Sequence, residues 1–429
     1  MRDRARRRWL ALAVAACGCG GSGSSGNADA GFSITLGPIE TFATHAQLAA
    51  LGFTWGPSDG TMGAVVDGGS YTFFGSAQSS STCAGSPTVQ GAFRITGSLE
   101  QLGGLPPQGC KALFTRGAAP SGWVFDRDYA GGGAVVPFRS GTTSGLLMSY
   151  HGEVHWTNPT GNGLCNSVPC FYGGIGLAVS LDDGVTFHSV GQIIQSYQPL
   201  SVYQGGGRNA GIGYGAMVVA DAAGNPLGAP PAAPSSAYLY VFYADIDPGG
   251  PGACANAGCV AVARARFDEV VAAVMPPSDP ATVAALFRKF DSTASDPWSQ
   301  PATSGDPTEN TASGHFTPLF DDWNSALPSV IWDSVMNSYL MATQVYQAGP
   351  PPAVIVIRSS TDLLHWSAPL ATYSPPSGHQ LYYPSFIGEG GDPLVGGAAP
   401  RLFFSTFVTF PNWSQSELDS LPVQIAASK

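Results

Sequence analysis

A short polar segment at residues 150–156, with the sequence YHGEVHW, carries the residue types best suited to chemistry in this chain. Alternate side chains of a strand point to the same face, so His151, Glu153 and His155 are predicted to lie together. A glutamate flanked by histidines and aromatic rings can donate a proton or bind a sugar ring. A solvated strand end is the alternative interpretation.

Two further acids lie just before predicted strands. Asp59 belongs to the segment GPSDG at residues 56–60, and Asp128 follows Asp126 and Arg127. Hydrolysis of a glycosidic bond needs two carboxyls across that bond, one protonated and one ionised. Asp59, Asp128 and Glu153 are acids that could take part in such a reaction. The alternatives are a turn aspartate at Asp59 and a salt-bridged loop around Asp128.

The composition predicts that strands position these groups. Of the 429 residues, 11% are charged and 44% hydrophobic, with 56 glycines and 35 prolines, which is typical of an all-β chain with many turns. Residues 31–429 are interpreted as a single domain. Strand-like segments recur there in five sets: 63–67, 70–76 and 91–97; 134–138, 146–156 and 176–180; 215–220, 237–244 and 260–266; 327–332, 338–346 and 353–359; and 382–387 with 401–410. Helices are predicted at 267–274 and 281–290, the second with Asp279 as N-cap.

A turn motif follows the third strand of the second set. Ser180, Asp182, Gly184, Thr186 and Phe187 match the pattern Ser-x-Asp-x-Gly-x-Thr-Phe of an Asp box. The Asp182 carboxylate is expected to accept hydrogen bonds within its own turn. The segment 360–366 is a degenerate copy at the same place in the fourth set, which supports a real period. The motif is a mark of the fold and not of an activity.

The strand sets and Asp boxes together resemble a five-bladed β-propeller with four-stranded antiparallel blades. The pattern is similar to that of arabinanase-like and invertase-like glycosidases, and the Asp box is similar to those of sialidases. The resemblance implies a central funnel lined by the first strands, with residues 31–36 closing the ring in the last blade. It also implies that the protein hydrolyses or binds a carbohydrate. A non-catalytic binding or scaffold module is the alternative.

The resemblance also suggests roles for the acids. Glu153 would be the general acid, Asp59 the base, and Asp128 an orienting group, because Arg127-Asp128 resembles the Arg-Asp-Pro motif of invertase-like enzymes. The third blade lacks the general acid of those families, and Asp245 and Asp247 could substitute for it. The expected substrate-binding residues are Arg127, His151, Arg208, Tyr214, Asp245, Asp322, Trp323 and Tyr383. No cofactor is predicted, although Asp321 and Asp322 could hold a structural Ca²⁺ in the channel or could simply be solvated.

The first 30 residues have the pattern of an export signal. Five arginines within residues 2–8 precede a short apolar stretch, and residues 14–17 resemble a bacterial lipobox. Residues 1–16 are interpreted as a lipoprotein signal peptide, Cys17 as the lipidated residue, and residues 17–30 as a Gly/Ser-rich tether. A plain secretory signal is the alternative. Both place the protein outside the cytoplasm, either secreted or lipid-anchored to the cell envelope.

Six further cysteines fall into pairs that are close in sequence. In an exported chain we expect three disulfides, Cys83–Cys110, Cys165–Cys170 and Cys254–Cys259, with a zinc site as the alternative. The net charge of −11 disfavours nucleic acid and anionic lipid as partners. The expected partner is a carbohydrate, the membrane is contacted only through the lipid anchor, and the protein is expected to be a monomer.

Overall fold

The computed structural model describes residues 31–50, 60–77, 91–100, 114–116, 122–156, 170–204, 210–227, 234–246, 258–276, 279–320, 324–347, 353–407 and 416–427. Strands β1 (Phe32–Leu36) and β2 (Glu40–Ala43) come first and are followed by helix α1 (His45–Ala50). No helix in these ranges is long and apolar enough to cross a membrane.

The other strands form five groups that follow one another along the chain. Group 1 contains β3 (Gly63–Asp67), β4 (Ser70–Ala77) and β5 (Gly91–Gly97). Group 2 contains β7 (Tyr129–Ser140), β8 (Thr143–Trp156), β9 (Cys170–Ser180) and β10 (Phe187–Ile194), with β6 (Phe114–Arg116) parallel to β10. Helix α2 (Leu200–Tyr203) and the short strand β11 (Ala210–Ile212) follow.

The remaining groups repeat this antiparallel order. Group 3 contains β12 (Ala216–Asp221), β13 (Ala237–Ile246), β14 (Cys259–Arg266), β15 (Arg288–Lys289) and β16 (Gln300–Pro301). Helices α3 (Phe267–Val274) and α4 (Pro280–Leu286) lie between β14 and β15. Group 4 contains β17 (Ser325–Asp333), β18 (Ser338–Tyr346), β19 (Ala353–Ser360) and β20 (Ala371–Tyr373). Group 5 contains β21 (Gln380–Ile387), β23 (Arg401–Phe407) and β24 (Glu417–Ala427), and β22 (Val395–Gly396) runs parallel to β17.

The first strands of the five groups pack side by side in a ring. Strand β3 contacts β7, β7 contacts β12, β12 contacts β17, β17 contacts β21, and β21 returns to β3. The predicted all-β propeller class is therefore confirmed. Group 1 has three described strands rather than the predicted four. Because residues 78–90 and 101–113 lie outside the described ranges, the number of blades in the whole chain stays a prediction.

The beginning of the chain closes the ring, as the sequence predicts. Strand β1 pairs antiparallel with β24, from Phe32 opposite Ala427 to Leu36 opposite Val423. Strand β2 pairs with the earlier part of β24. Ile34 packs against the buried apolar cluster between groups 4 and 5. The last group is thus completed by residues that precede the first group in sequence.

Buried serine hydroxyls join neighbouring groups near the ring axis. Ser149 on β8 donates to the carbonyl of Gly215 at 3.0 Å. Ser329 on β17 accepts from the Phe386 amide, and Ser385 on β21 accepts from the Met62 amide, both at 2.8 Å. A buried backbone amide without a partner costs about 1–3 kcal/mol, so these bonds hold adjacent groups in a fixed relative position.

Two turns, at residues 180–187 and 360–366, lie between the third and fourth strands of groups 2 and 4. Asp182 accepts from the Thr186 amide at 2.9 Å and from the Thr186 hydroxyl at 2.6 Å, so the predicted local hydrogen bonds are confirmed. In the second turn, Asp362 accepts from the His365 amide at 2.8 Å. Both turns connect strand ends at the opposite end of the ring from the starts of the first strands.

The predicted helices are present, but the second is shorter than expected. Helix α3 has the predicted bounds, and Asp279 caps α4 by accepting from the amides of Ala281 and Thr282. The prediction of helix through residue 290 is wrong, because Arg288 and Lys289 instead pair with β14. Ladder hydrogen bonds from a neighbouring strand outweigh the weak helical preference of this short segment.

Truncation of Ile34 tests the ring closure. We expect Ile34→Ala to lower the free energy of unfolding by about 1–2 kcal/mol, because the half-buried side chain loses apolar contact. The matched control is Thr35→Ala, the next residue of the same strand, whose side chain is exposed and should change stability by less than about 0.5 kcal/mol. Urea denaturation measures both. Equal effects for the two variants would show that β1 does not close the ring.

Candidate functional site

A cluster of hydroxyl groups occupies the ring axis where the first strands begin. Tyr129 at the start of β7 and Tyr214 just before β12 share a short hydrogen bond between their hydroxyls. Ser76 at the end of β4 lies 3.1 Å from the Tyr129 hydroxyl and 3.2 Å from that of Tyr214. Three strand groups thus contribute to one polar cluster that is almost fully buried.

Aromatic rings surround these hydroxyls. The His151 imidazole stacks on the Tyr214 ring with centroids 4.5 Å apart. Tyr383 contacts Tyr214 edge-on at 5.7 Å, and Phe171 contacts His151 edge-on at 5.9 Å. Leu327 of group 4 completes the apolar boundary. All five strand groups therefore supply side chains to this end of the axis.

Unusual backbone geometry accompanies the cluster. Leu327 and Tyr383 have left-handed backbones, with φ of 54° and 61°. Each lies at a register shift in the first strand of its group. Non-glycine residues in this conformation are uncommon, and bulges concentrate at barrel rims and beside functional sites. The strained positions thus coincide with the polar cluster.

Glycine allows the close approach of the two tyrosines. A Cβ atom on Gly131 would lie 2.2 Å from the Tyr129 hydroxyl oxygen and 2.5 Å from that of Tyr214. Gly60, with φ of 154°, packs against the Tyr214 ring, where a Cβ would come within 2.3 Å of a ring carbon. Both positions therefore need glycine for the tyrosines to meet.

A carboxylate held between two imidazoles adjoins the hydroxyl cluster. Glu153 lies opposite Tyr129 in the β7–β8 register. Its Oε1 is 3.0 Å from His151 Nε2, and its Oε2 is 2.5 Å from His155 Nε2. The predicted common face of His151, Glu153 and His155 is therefore confirmed. The Glu153 side chain is only 14% exposed, so the carboxylate is largely buried.

The imidazoles of His151 and His155 favour the ionised form of Glu153. Burial by itself would raise the pKa of the carboxyl, but the hydrogen bonds from His151 and His155 outweigh burial and lower this pKa. For His155, burial opposes protonation, and the hydrogen bond to Glu153 outweighs it and raises the His155 pKa. Each group therefore favours the charged form of the other, the carboxylate of Glu153 and the imidazolium of His155.

Asp128 forms a second ionic arrangement beside the first. Its carboxylate accepts from Arg127 Nη2 at 2.7 Å and from the His155 amide at 2.6 Å. Burial would raise the pKa of Asp128, but these hydrogen bonds outweigh it and lower the pKa. Asp128 and Glu153 are thus linked through His155, and Asp128 orients the strand end that carries His155.

The other predicted residues are distributed between the site, the interior and the undescribed segments. Tyr214 and Tyr383 lie in the cluster, as described above. Asp245 is fully buried and accepts from the Ser196 hydroxyl at 2.8 Å and the Tyr197 amide at 3.2 Å, so it anchors residues 196–197. Outside the described ranges lie Cys17, Asp59, Cys83, Cys110, Cys165, Arg208, Cys254, Asp321, Asp322 and Trp323.

Cys170 and Cys259 are both buried. The cysteines predicted as their partners lie outside the described residues, so the pairing stays a prediction. Cys170 directly precedes Phe171, whose ring contacts His151. In the described ranges, no group of three or more His, Cys, Asp or Glu side chains is placed to hold a metal ion.

Sequence reasoning did not select Ser76, Tyr129 or Phe171. Tyr129 directly follows the predicted Asp128, and Phe171 lies opposite His155 in the β8–β9 register. A systematic inspection of residues at the start of each predicted first strand would have included Tyr129. No comparable local signal marks Ser76, whose role depends on two tyrosines 53 and 138 residues away.

Comparison with known proteins gives likeness to solved structures only. The chain matches no protein-family model and no curated protein. An α-L-arabinofuranosidase from Podospora anserina, solved in complex with cellotriose, is 10% identical with a TM-score of 0.45, over 92% of this chain and 97% of that one. An exo-β-1,3-galactanase from Phanerochaete chrysosporium is 10% identical with a TM-score of 0.45, over 92% and 67%. A GH62 α-L-arabinofuranosidase from Coprinopsis cinerea is 12% identical with a TM-score of 0.40, over 87% and 98%.

These similarities are too distant to say what this chain acts on. Identities of 10–12% and TM-scores of 0.40–0.45 carry no argument about activity. The chemistry of this chain is therefore argued from its own side chains. The propeller class rests on the strand pairing and the ring of first strands described above.

Replacement of Glu153 by glutamine tests the ionic pair. We expect the His155 pKa, measured by NMR titration, to lie above the ordinary histidine value in the wild type and to fall in Glu153→Gln, because the carboxylate stabilises the imidazolium. The matched control, Glu269→Gln at an exposed position of α3, should leave the His155 pKa unchanged. A His155 pKa that is the same in wild type and Glu153→Gln would contradict the described contact.

Proposed function

We propose that the site on the ring axis binds a carbohydrate. This site, called the axial site, consists of Ser76, Tyr129, Tyr214, His151, Glu153 and His155, with Phe171 and Tyr383 beside them. The observation that carries the proposal is the meeting of tyrosine hydroxyls, the hydrogen-bonded Glu153–His155 pair and aromatic rings at one end of the ring. A sugar presents hydroxyls that both donate and accept hydrogen bonds, together with apolar C–H faces that pack on aromatic rings. Few other small molecules match this combination of groups.

Each part of the site has a role in such binding. The hydroxyls of Tyr129 and Tyr214 can donate or accept, the Glu153 carboxylate accepts, and His155 donates. Tyr383 and Phe171 offer ring surfaces for the sugar faces. The described charges are paired, Arg127 with Asp128 and His155 with Glu153, so the site favours a neutral sugar over an acidic one.

Hydrolysis of the bound sugar is the second candidate function, because His155 and Glu153 place a proton donor beside a carboxylate. The lowered pKa of Glu153 argues against its expected role as the resting general acid and fits a base or an ion-stabilising group better. His155 is then the available proton donor. Asp59 precedes Gly60, which touches the Tyr214 ring, and it remains the proposed second carboxylate.

Oligosaccharide titration tests the proposal. We expect the purified protein to bind at least one member of a panel of neutral oligosaccharides in calorimetry. Glu153→Gln and Tyr214→Phe should each weaken binding about tenfold or more, because each removes a hydrogen bond to the ligand. Tyr373→Phe, on β20 away from the axis, is the matched control and should bind normally.

The same panel separates the two candidate functions. Release of new reducing ends by the wild type, abolished in Glu153→Gln, would support hydrolysis. Binding without release would support a binding module. Absence of both binding and release across the panel would refute the carbohydrate proposal.

We also propose export and anchoring through Cys17. The support is the lipobox-like sequence, together with the position of β1. Phe32 pairs with Ala427 at the end of β24 that is opposite the axial site. A tether formed by residues 17–30 would therefore join the domain at the end opposite the axial site.

Replacement of Cys17 tests the anchor. We expect Cys17→Ser to move the protein from the membrane fraction to the soluble fraction of cells, because the thiol that would carry the lipid is absent. Cys19→Ser is the matched control and should stay with the membrane. Identical partitioning of Cys17→Ser and wild type would exclude lipidation at this residue.

A further inference from the structure

A cavity lies beside group 2, separate from the axial site. Its volume is about 380 Å³, and none of the axial residues lines it. We call it the side pocket. Helix α4, the segment 301–307 and two aromatic residues form its walls, which include Trp123, Phe125, Gln192, Ala281, Ala284 and Arg288. Most of this surface is apolar.

The fold builds the side pocket through specific local features. Gly191, with φ of 125°, lies at a register shift in β10, and a Cβ there would come within 2.9 Å of Pro280 and 3.1 Å of Trp123. The missing side chain thus lets both walls approach the strand. The Asp279 cap fixes the start of α4, and the rings of Trp123 and Phe125 lie 5.9 Å apart. The cavity is therefore held by a cap, a bulge and ring packing.

The two charged side chains that line the side pocket, Asp306 and Arg288, differ in how many of their polar atoms already form hydrogen bonds. Asp306 accepts from the Thr308 amide and hydroxyl, the Asn310 amide and the Thr311 hydroxyl, so its carboxylate is occupied by its own loop. Arg288 uses Nη1 to bind the carbonyls of Ala285 and Phe287 at 2.7 and 2.9 Å.

These two backbone hydrogen bonds hold the Arg288 guanidinium in position in a mostly apolar wall. Within the described parts of the chain, Arg288 has no carboxylate partner. Its Nε and Nη2 groups therefore keep their hydrogen-bonding capacity. A guanidinium in this state is suited to bind a carboxylate through two parallel hydrogen bonds.

We propose that the side pocket binds a small aromatic carboxylate. The aromatic and aliphatic walls would take the ring, and Arg288 would take the carboxylate. The Arg288 guanidinium and the apolar lining both favour this class over a neutral sugar, which would leave many hydroxyls unpaired against alanine and proline. The proposal is independent of the carbohydrate function of the axial site.

Titration with trans-cinnamate, followed by tryptophan fluorescence and calorimetry, tests the side pocket. The wild type should bind cinnamate saturably and should bind cinnamyl alcohol about tenfold or more weakly, because the alcohol lacks the charge. Arg288→Gln should lose this preference for the acid. Arg139→Gln, an exposed arginine on β7, is the matched control and should bind as the wild type does.

Filling the cavity gives a second, independent readout. Ala284→Trp should abolish binding of both compounds, whereas Ala222→Trp in an exposed turn should not. Tyr214→Phe at the axial site should leave cinnamate binding unchanged. The proposal is overturned if the wild type shows no saturable binding at millimolar cinnamate, if Arg288→Gln keeps the acid preference, or if Tyr214→Phe abolishes binding.

Discussion

Closure of the ring is the constraint on which the rest of the structure depends. An open sheet edge at group 5 would expose unpaired backbone groups, and β1 and β2 cover it by pairing with β24. Closure brings the first strands of all five groups around one axis, and the hydroxyls of Ser149, Ser329 and Ser385 tie neighbouring groups together there. The axial site exists only because these strand starts meet.

In the axial site, two tyrosines pack closely together and the buried Glu153 carboxylate lies between two imidazoles. Tyr129 and Tyr214 meet because glycine at residues 60 and 131 gives them space, and Glu153 tolerates burial because both of its oxygens face imidazoles. A buried carboxylate without such partners would become protonated. The same contacts that stabilise the carboxylate thus define the chemistry available to a ligand.

The segment 122–129 connects the two proposed ligand sites. Trp123 and Phe125 line the side pocket, while Asp128 and Tyr129 belong to the axial site. Between them, Asp126 accepts from the Tyr150 hydroxyl at 3.1 Å, which fixes the segment to β8. The Phe125 ring lies against Gly152, one residue from Glu153. One short segment therefore presents an apolar surface to one side and polar groups to the other.

Features that depend on residues close together in the chain could be predicted from the sequence alone. The Asp182–Thr186 hydrogen bond spans four residues, the Asp279 cap spans three, and the common face of His151, Glu153 and His155 follows from strand alternation. The five strand sets and the closing segment 31–36 could also be predicted, because each depends on a local sequence pattern. Only the tertiary structure decided that Arg288 and Lys289 leave the helix for a strand, that Asp245 is a buried anchor, and that Ser76 joins two distant tyrosines. It also decided that Glu153 is ionised, because a pKa depends on which groups lie across space from the carboxyl, and neighbours in sequence do not specify that.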